Sequence, residues 1–88
     1  MRLGELITLM HQLDPSLKLG IDSQSILPVS GMSASDNRLL FHTATQTPLT
    51  VGTFQQHAVH FDQQLIVFRS NDDRLYGFRQ SEHWLLFK

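Results

Sequence analysis

Eighty-eight residues without a cysteine, with 7 basic and 8 acidic side chains and a formal net charge of −1, leave room for one small domain and exclude disulfide staples and thiolate chemistry. The basic residues are scattered at Arg2, Lys18, Arg38, Arg69, Arg74, Arg79 and Lys88, which excludes a continuous phosphate-binding stripe and argues against nucleic acid. No apolar run approaches the roughly 20 residues that cross a bilayer, so a membrane-spanning role is not expected.

MRLGELITLMHQLD opens the chain with an acid inside its apolar segment and no small-residue cleavage site. It reads as an amphipathic helix rather than a secretory signal, and the expected compartment is the cytoplasm. Leu3, Leu6, Ile7, Met10 and Leu13 make one helical stripe, and Asp14-Pro15 stops it, because the residue before proline is pushed out of the helical region. Leu17-Lys18-Leu19-Gly20-Ile21 alternates as a strand with one face buried. A turn at Ser23-Gln24-Ser25 leads to a short strand from Ile26 to Val29. Residues 30–37, SGMSASDN, have the composition of a loop. Arg38 to Thr43 is the third strand.

Thr47-Pro48-Leu49-Thr50 restarts the pattern. Thr50 suits a helix N-cap, where its hydroxyl accepts from a free backbone N–H, and Val51, Phe54, Ala58 and Phe61 form the stripe that follows. Gln64 to Arg69 reads as a strand, Ser70-Asn71-Asp72-Asp73 as a turn, and Arg74 to Arg79 as the returning arm of a hairpin. A turn at Gln80 to His83 precedes a last strand from Trp84 to Lys88.

Both halves thus read helix, strand, strand, strand. LGELITLMHQLDPSLKLG (residues 3–20) laid on VGTFQQHAVHFDQQLIVF (51–68) puts Gly4 on Gly52, Asp14 on Asp62 and Leu17 on Leu65, while Leu3, Leu6, Leu13 and Leu19 fall on Val51, Phe54, Phe61 and Val67. Leu39-Leu40-Phe41 and Leu85-Leu86-Phe87 end the halves alike. Amphipathic spacing is common to any helix followed by a strand, so the shared order is better supported than true duplication. The expected fold is α+β: a single domain over 1–88 made of two αβββ units in tandem, halves 1–45 and 46–88, with an antiparallel sheet and two short helices packed on it.

Leu3-Gly4-Glu5-Leu6-Ile7 followed by Leu13-Asp14-Pro15 resembles the start of small phage and prophage proteins of uncharacterised role. In those a Thr-Val-Gly-Glu-Leu helix leads into a Leu-Asp-Pro turn and a strand. The likeness covers about residues 2–22. Arg2 stands where those proteins carry the capping Thr, so the Thr-x-x-Glu capping box is lost; the second half keeps the Thr, at Thr50, and has Thr53 in place of the Glu. The resemblance implies an accessory protein of a mobile element and no activity.

The candidate sites carry little chemistry. His57 and His60 would share a helical face as paired imidazole ligands do, but no close-spaced third donor completes a zinc site, and a solvated polar face is the simpler reading. No metal and no cofactor is expected. Gly31-Met32-Ser33-Ala34-Ser35 lacks the second glycine and the following helix of a nucleophile elbow; a contact loop suits it better. No nucleophile–base–acid set can be assembled, so an enzyme is not expected.

The informative stretch is the carboxy-terminal meander, whose strands alternate with apolar residues on both faces. A sheet with one wet face should alternate apolar with polar. Either the halves close on each other as a barrel or sandwich, or the second face meets another copy, or it meets a foreign partner or ligand. The expectation that follows is a non-enzymatic protein-interaction module, self-associating as a homodimer or binding a protein partner, through Phe68, Tyr76, Phe78 and Trp84 with Arg69 and Arg79 at the rim. The alternative is a small-ligand or metal-binding protein using His57 and His60.

Overall fold

The computed structural model describes residues 1–45, 47–69 and 73–88; of the expected turn at 70–73 only Asp73 lies among them. Two helices form where the stripes predict. α1 (Leu3–Met10) buries Leu3, Leu6, Ile7 and Met10, and α2 (Val51–Ala58) buries Val51, Phe54 and Ala58. Both are shorter than their stripes. Leu13 and Phe61 lie beyond the helix ends and still pack against the core.

Six strands follow in two sets of three: β1 (Lys18–Ile21), β2 (Leu27–Ser35) and β3 (Arg38–Thr43) after α1, then β4 (Ile66–Arg69), β5 (Phe78–Ser81) and β6 (Trp84–Phe87) after α2. They build one sheet in the order β4-β3-β2-β1-β6-β5. β1 with β2, β2 with β3, and β5 with β6 are antiparallel, whereas β1 runs parallel to β6 and β3 parallel to β4. The sheet is therefore mixed, which corrects the expectation of an antiparallel one. Both parallel contacts join the halves, the first strand of each lying beside the third strand of the other. Side-chain alternation reports which face a residue takes and carries no information on which strand lies alongside.

The hairpin expected between 64–69 and 74–79 is reduced to a bridge between Phe68 and Arg74. Around it the Arg69 N–H donates to the Asp73 carbonyl at 2.7 Å and the Leu75 N–H to the Val67 carbonyl at 3.0 Å. These bonds tie the segment entering β5 back to β4, so the ring of strand pairings closes and the sheet forms a small barrel. Closure removes much of the exposed edge that an open sheet would carry. Phe41 of β3 meets Phe54 of α2 edge-on at 5.7 Å and Phe87 of β6 at 5.1 Å, so one ring from the first half is packed between a helix and a strand of the second.

Polar contacts recur at the aligned positions of the two halves. The Leu3 N–H donates to the Leu65 carbonyl and the Val51 N–H to the Leu17 carbonyl, each at 2.8 Å. The Gly4 N–H donates to Gln63 and the Gly52 N–H to Pro15, at 3.0 and 2.9 Å. Glycine fits closely at both places: a Cβ on Gly4 would lie 3.2 Å from the Gln63 Cβ and one on Gly52 3.2 Å from the Pro15 Cβ, so either neighbour would have to give by a few tenths of an ångström. Lys18 bonds to the His83 carbonyl as Ile66 does to Asn37. Asp36 and Glu82 open the two tight turns with the same positive φ of 55°, a left-handed backbone in which aspartate, but not glutamate, is enriched.

Candidate interaction site

Barrel closure consumes one apolar face of the carboxy-terminal meander. Val67, Leu75, Leu85 and Phe87 turn inward and belong to the core cluster. The outer wall keeps Ile66, Phe68 and Trp84 half-buried. Leu86 is buried outside the core cluster, with Trp84 and Ile26 beside it over Gly20. Cationic stems screen the outer aromatics. The Arg38 guanidinium lies 4.7 Å from the Phe68 ring centre and the Lys18 ammonium 5.8 Å from that of Trp84, where the stem shields apolar area and the charge meets the ring face.

The six residues singled out from the sequence divide between these environments. Tyr76 is 75% exposed, with the Arg74 guanidinium 5.5 Å from its ring. Phe78 packs inward, its ring centre 5.7 Å from that of Phe87. Strict alternation would set Phe78 opposite Leu75, yet both turn in. The backbone slips a residue between them, as it does at the Val29/Gly31 irregularity of β2; such a bulge re-aims every side chain after it. Arg79 is tied by its Nε to the Asp22 carboxylate at 3.0 Å. Arg69 holds Asp73 through its backbone.

The stretch 30–37, expected as a loop, is mostly strand. β2 runs unbroken to Ser35 and pairs with β3 through Ser33↔Leu40 and Ser35↔Arg38 across the two-residue turn Asp36-Asn37. In such a hairpin the pair flanking the turn exchanges both hydrogen bonds and every second pair repeats this. Gly31, Ser33 and Ser35 therefore bond to β3, and the N–H and C=O groups of Met32 and Ala34 point to the other side. The opposite edge of β2 is occupied as far as Val29, whose carbonyl accepts from the Leu49 N–H at 2.8 Å. Beyond it, among the described residues, no backbone group bonds to the outward side of Met32 or Ala34.

Beside this edge lies a depression of about 260 Å³ lined by Ser30, Gly31, Met32, Leu49, His57 and Phe61. α2 brings His57 to it in its last turn. His60 sits past the helix end, its N–H donating to the His57 carbonyl at 3.2 Å. Among the described residues no three His, Cys, Asp or Glu side chains come together as a metal would need. Ser33 Oγ and His42 Nε2 are 2.6 Å apart on the exposed side of the β2–β3 hairpin. Among the described residues Asp14 is the titrating side chain with a clear displacement: the Ser16 backbone N–H and hydroxyl bond its carboxylate and hold its pKa below the ordinary aspartate range.

Sequence reasoning missed the edge of β2 because its small and polar residues have loop composition. A signal was present. Aligning Leu39-Leu40-Phe41 on Leu85-Leu86-Phe87 lays Gly31-Met32-Ser33-Ala34-Ser35 on Gly77-Phe78-Arg79-Gln80-Ser81, a stretch with readable strand character at Phe78-Arg79. No helix of the described residues is long and apolar enough to cross a membrane. Compared with known protein families, with curated proteins and with solved structures, the chain gives no match.

Proposed function

We propose that this chain is a small non-enzymatic protein-interaction module that self-associates, and that its barrel arose by tandem duplication of an αβββ unit. The observation that carries the interaction reading is the unpaired edge of β2 at Met32 and Ala34. An unpaired strand edge without charge or proline is a template for another strand. GMSAS has neither, whereas proteins that must stay single blunt such edges with lysine or proline. The duplication reading rests on backbone bonds that recur at aligned positions, on the shared Gly4 and Gly52 and on the two left-handed turn residues. Unrelated segments have no reason to share all of these. The likeness of residues 2–22 to small phage proteins supports an accessory role in a phage or mobile element, acting in the cytoplasm.

The test of self-association is solution mass by light scattering across a wide range of protein concentration. A mass that rises toward twice the 10.1 kDa of one chain supports the module reading as a homodimer. A single-chain mass at every concentration removes self-association. A second reading, a small-ligand binder, is favoured by the depression at Met32, Leu49 and Phe61. Addition of small apolar compounds with His57 resonances followed by NMR tests it, and unmoved resonances discard it.

A further inference from the structure

Resting on the self-association reading, we infer that the partner of this edge is the same edge of a second copy, paired antiparallel about a two-fold axis through Ser33. The residues around Ser33 are self-complementary. Such pairing sets Ser33 opposite Ser33 of the partner subunit, Met32 opposite Ala34 of the partner subunit and Gly31 opposite Ser35 of the partner subunit. A long side chain meets a short one and no charge meets a like charge. Met32 and Ala34, whose backbone groups point outward, become the pairs that exchange hydrogen bonds, while the Ser33 pair is of the close, non-bonded kind.

The other half carries the control. β5 presents the equivalent edge, with Phe78 and Gln80 in the outward-bonding positions. The pattern there is fixed by Gly77 and Lys88, which exchange both backbone bonds at 3.3 and 3.1 Å. The residue of β5 aligned with Ser33 is Arg79. Self-pairing of β5 would bring two long Arg79 side chains face to face on its axis; the Asp22 carboxylate that each holds at 3.0 Å is an exposed pair that offsets their charge only in part, and like charges directly opposite on a sheet are unfavourable. The two halves thus share an edge geometry and differ at the one position that decides self-pairing. Arg79 blocks it and Ser33 permits it. A mixed pairing of β2 with the β5 of the next copy would leave a further free edge at each end and give open chains instead of a closed dimer.

Charge substitution at the axis separates these cases. Ser33→Asp and Ser33→Lys each place like charges opposite on the two-fold axis, so each should weaken the dimer by about tenfold or more. An equimolar mixture of the two should regain at least the wild-type mass, because Asp then faces Lys. If pairing were instead with β5, Ser33→Asp would face Arg79 and associate more tightly while Ser33→Lys associated less. Because the chain has no cysteine, a direct check is available. Ser33→Cys should oxidise to a covalent dimer under mild conditions, since the Cα separation of a non-bonded pair, about 4.5 Å, lies within the range a disulfide spans. Gln56→Cys, exposed on α2 away from both edges, reports random collision and should oxidise far more slowly. Equal trapping rates for the two cysteines, or a wild-type dimer that neither charge weakens, overturns the assignment to β2 and leaves self-association standing through another surface. A wild-type chain that stays single at every concentration overturns both.

Discussion

Phe41 bears on both helix and strand of the opposite half, so its ring is the residue through which the two units feel each other most directly. It is fully buried and meets Phe54 and Phe87 edge-on. Phe41→Ala should cost about 3–5 kcal/mol, by lost transfer energy and an unfilled cavity, which is comparable to the whole stability of a small domain. Tyr76→Ala, at an exposed ring, should stay within about 0.5 kcal/mol. Urea midpoints of the two variants check the contrast. Asp14 gives a prediction of a different kind. Its carboxylate accepts from both the backbone and the hydroxyl of Ser16, so its folded pKa is depressed. A depressed acid contributes stability that is present above its unfolded pKa and lost as pH falls through the folded one. Removing the hydroxyl with Ser16→Ala should move the Asp14 titration upward, toward the ordinary range, while the backbone bond keeps part of the shift. An NMR titration of the Asp14 carboxyl in both proteins reads this directly, and identical curves would show that the hydroxyl is irrelevant.

The two helices begin differently although their stripes align. Thr50 Oγ1 accepts the Thr53 N–H at 3.2 Å, as a capping residue should. At α1 the Arg2 side chain instead reaches Gln64 Oε1 at 2.8 Å, and the Arg2 N–H donates to Glu5 Oε1 at 3.2 Å. Only the forward half of the capping box is lost, and the reciprocal bond survives. Thr50→Ala should therefore cost about 1 kcal/mol, and Glu5→Ala should destabilise by less, since it removes the weaker, exposed member of a box already incomplete; thermal unfolding of the two variants ranks them. At this scale much was legible. The helical stripes and strands at Lys18–Ile21, Arg38–Thr43 and Trp84–Phe87 all follow from spacing and side-chain type, although α1 ends at Met10, before the Asp14-Pro15 expected to stop it. Two things were not. Beyond Val29, β2 lacks the β-branched and aromatic residues that announce a strand, because its outward edge and exposed end pack against little. Phe78 turns inward because a bulge breaks the alternation on which its outward assignment rested, and a bulge leaves no mark on composition. The candidate interaction site shared that fate, since the edge that matters is made of the residues with least propensity to announce it.

Strand partners belong to the whole molecule, and they decide how it holds together. β1 lies beside β6 and β3 beside β4, so each half lends its first and third strands to the other, and neither half owns a closed barrel or a complete core. Hydrophobic pattern fixes the face of each strand without fixing its neighbour, which is why the cross-half pairing was not readable in advance. The same arrangement makes a prediction about connectivity. Met1 and Lys88 both attach to one stretch of chain: the Met1 nitrogen reaches the Leu75 carbonyl at 3.3 Å, and the Lys88 carbonyl accepts from the Tyr76 N–H at 2.9 Å. In the first half the corresponding place is where Leu49 reaches Val29, just after β3 ends. The passage from β3 to α2 therefore stands to the first half as a link from β6 back to α1 would stand to the second. If that equivalence is physical, the link can be moved from one place to the other. A circular permutant that joins Lys88 to Met1 through a linker as long as 43–48, and opens between Gln46 and Thr47, keeps every strand pairing and both parallel contacts. It should fold to the same barrel, with a circular dichroism spectrum like the parent's and a stability changed by only about 1 kcal/mol or so, because loop-closure entropy varies slowly with where a short loop sits. Cutting the chain at the same place without joining the ends should do more harm. The two fragments must then find each other from solution, neither having a core of its own, and their folding should depend on concentration. A permutant that fails to fold while the mixed fragments assemble would show that the two junctions are not equivalent.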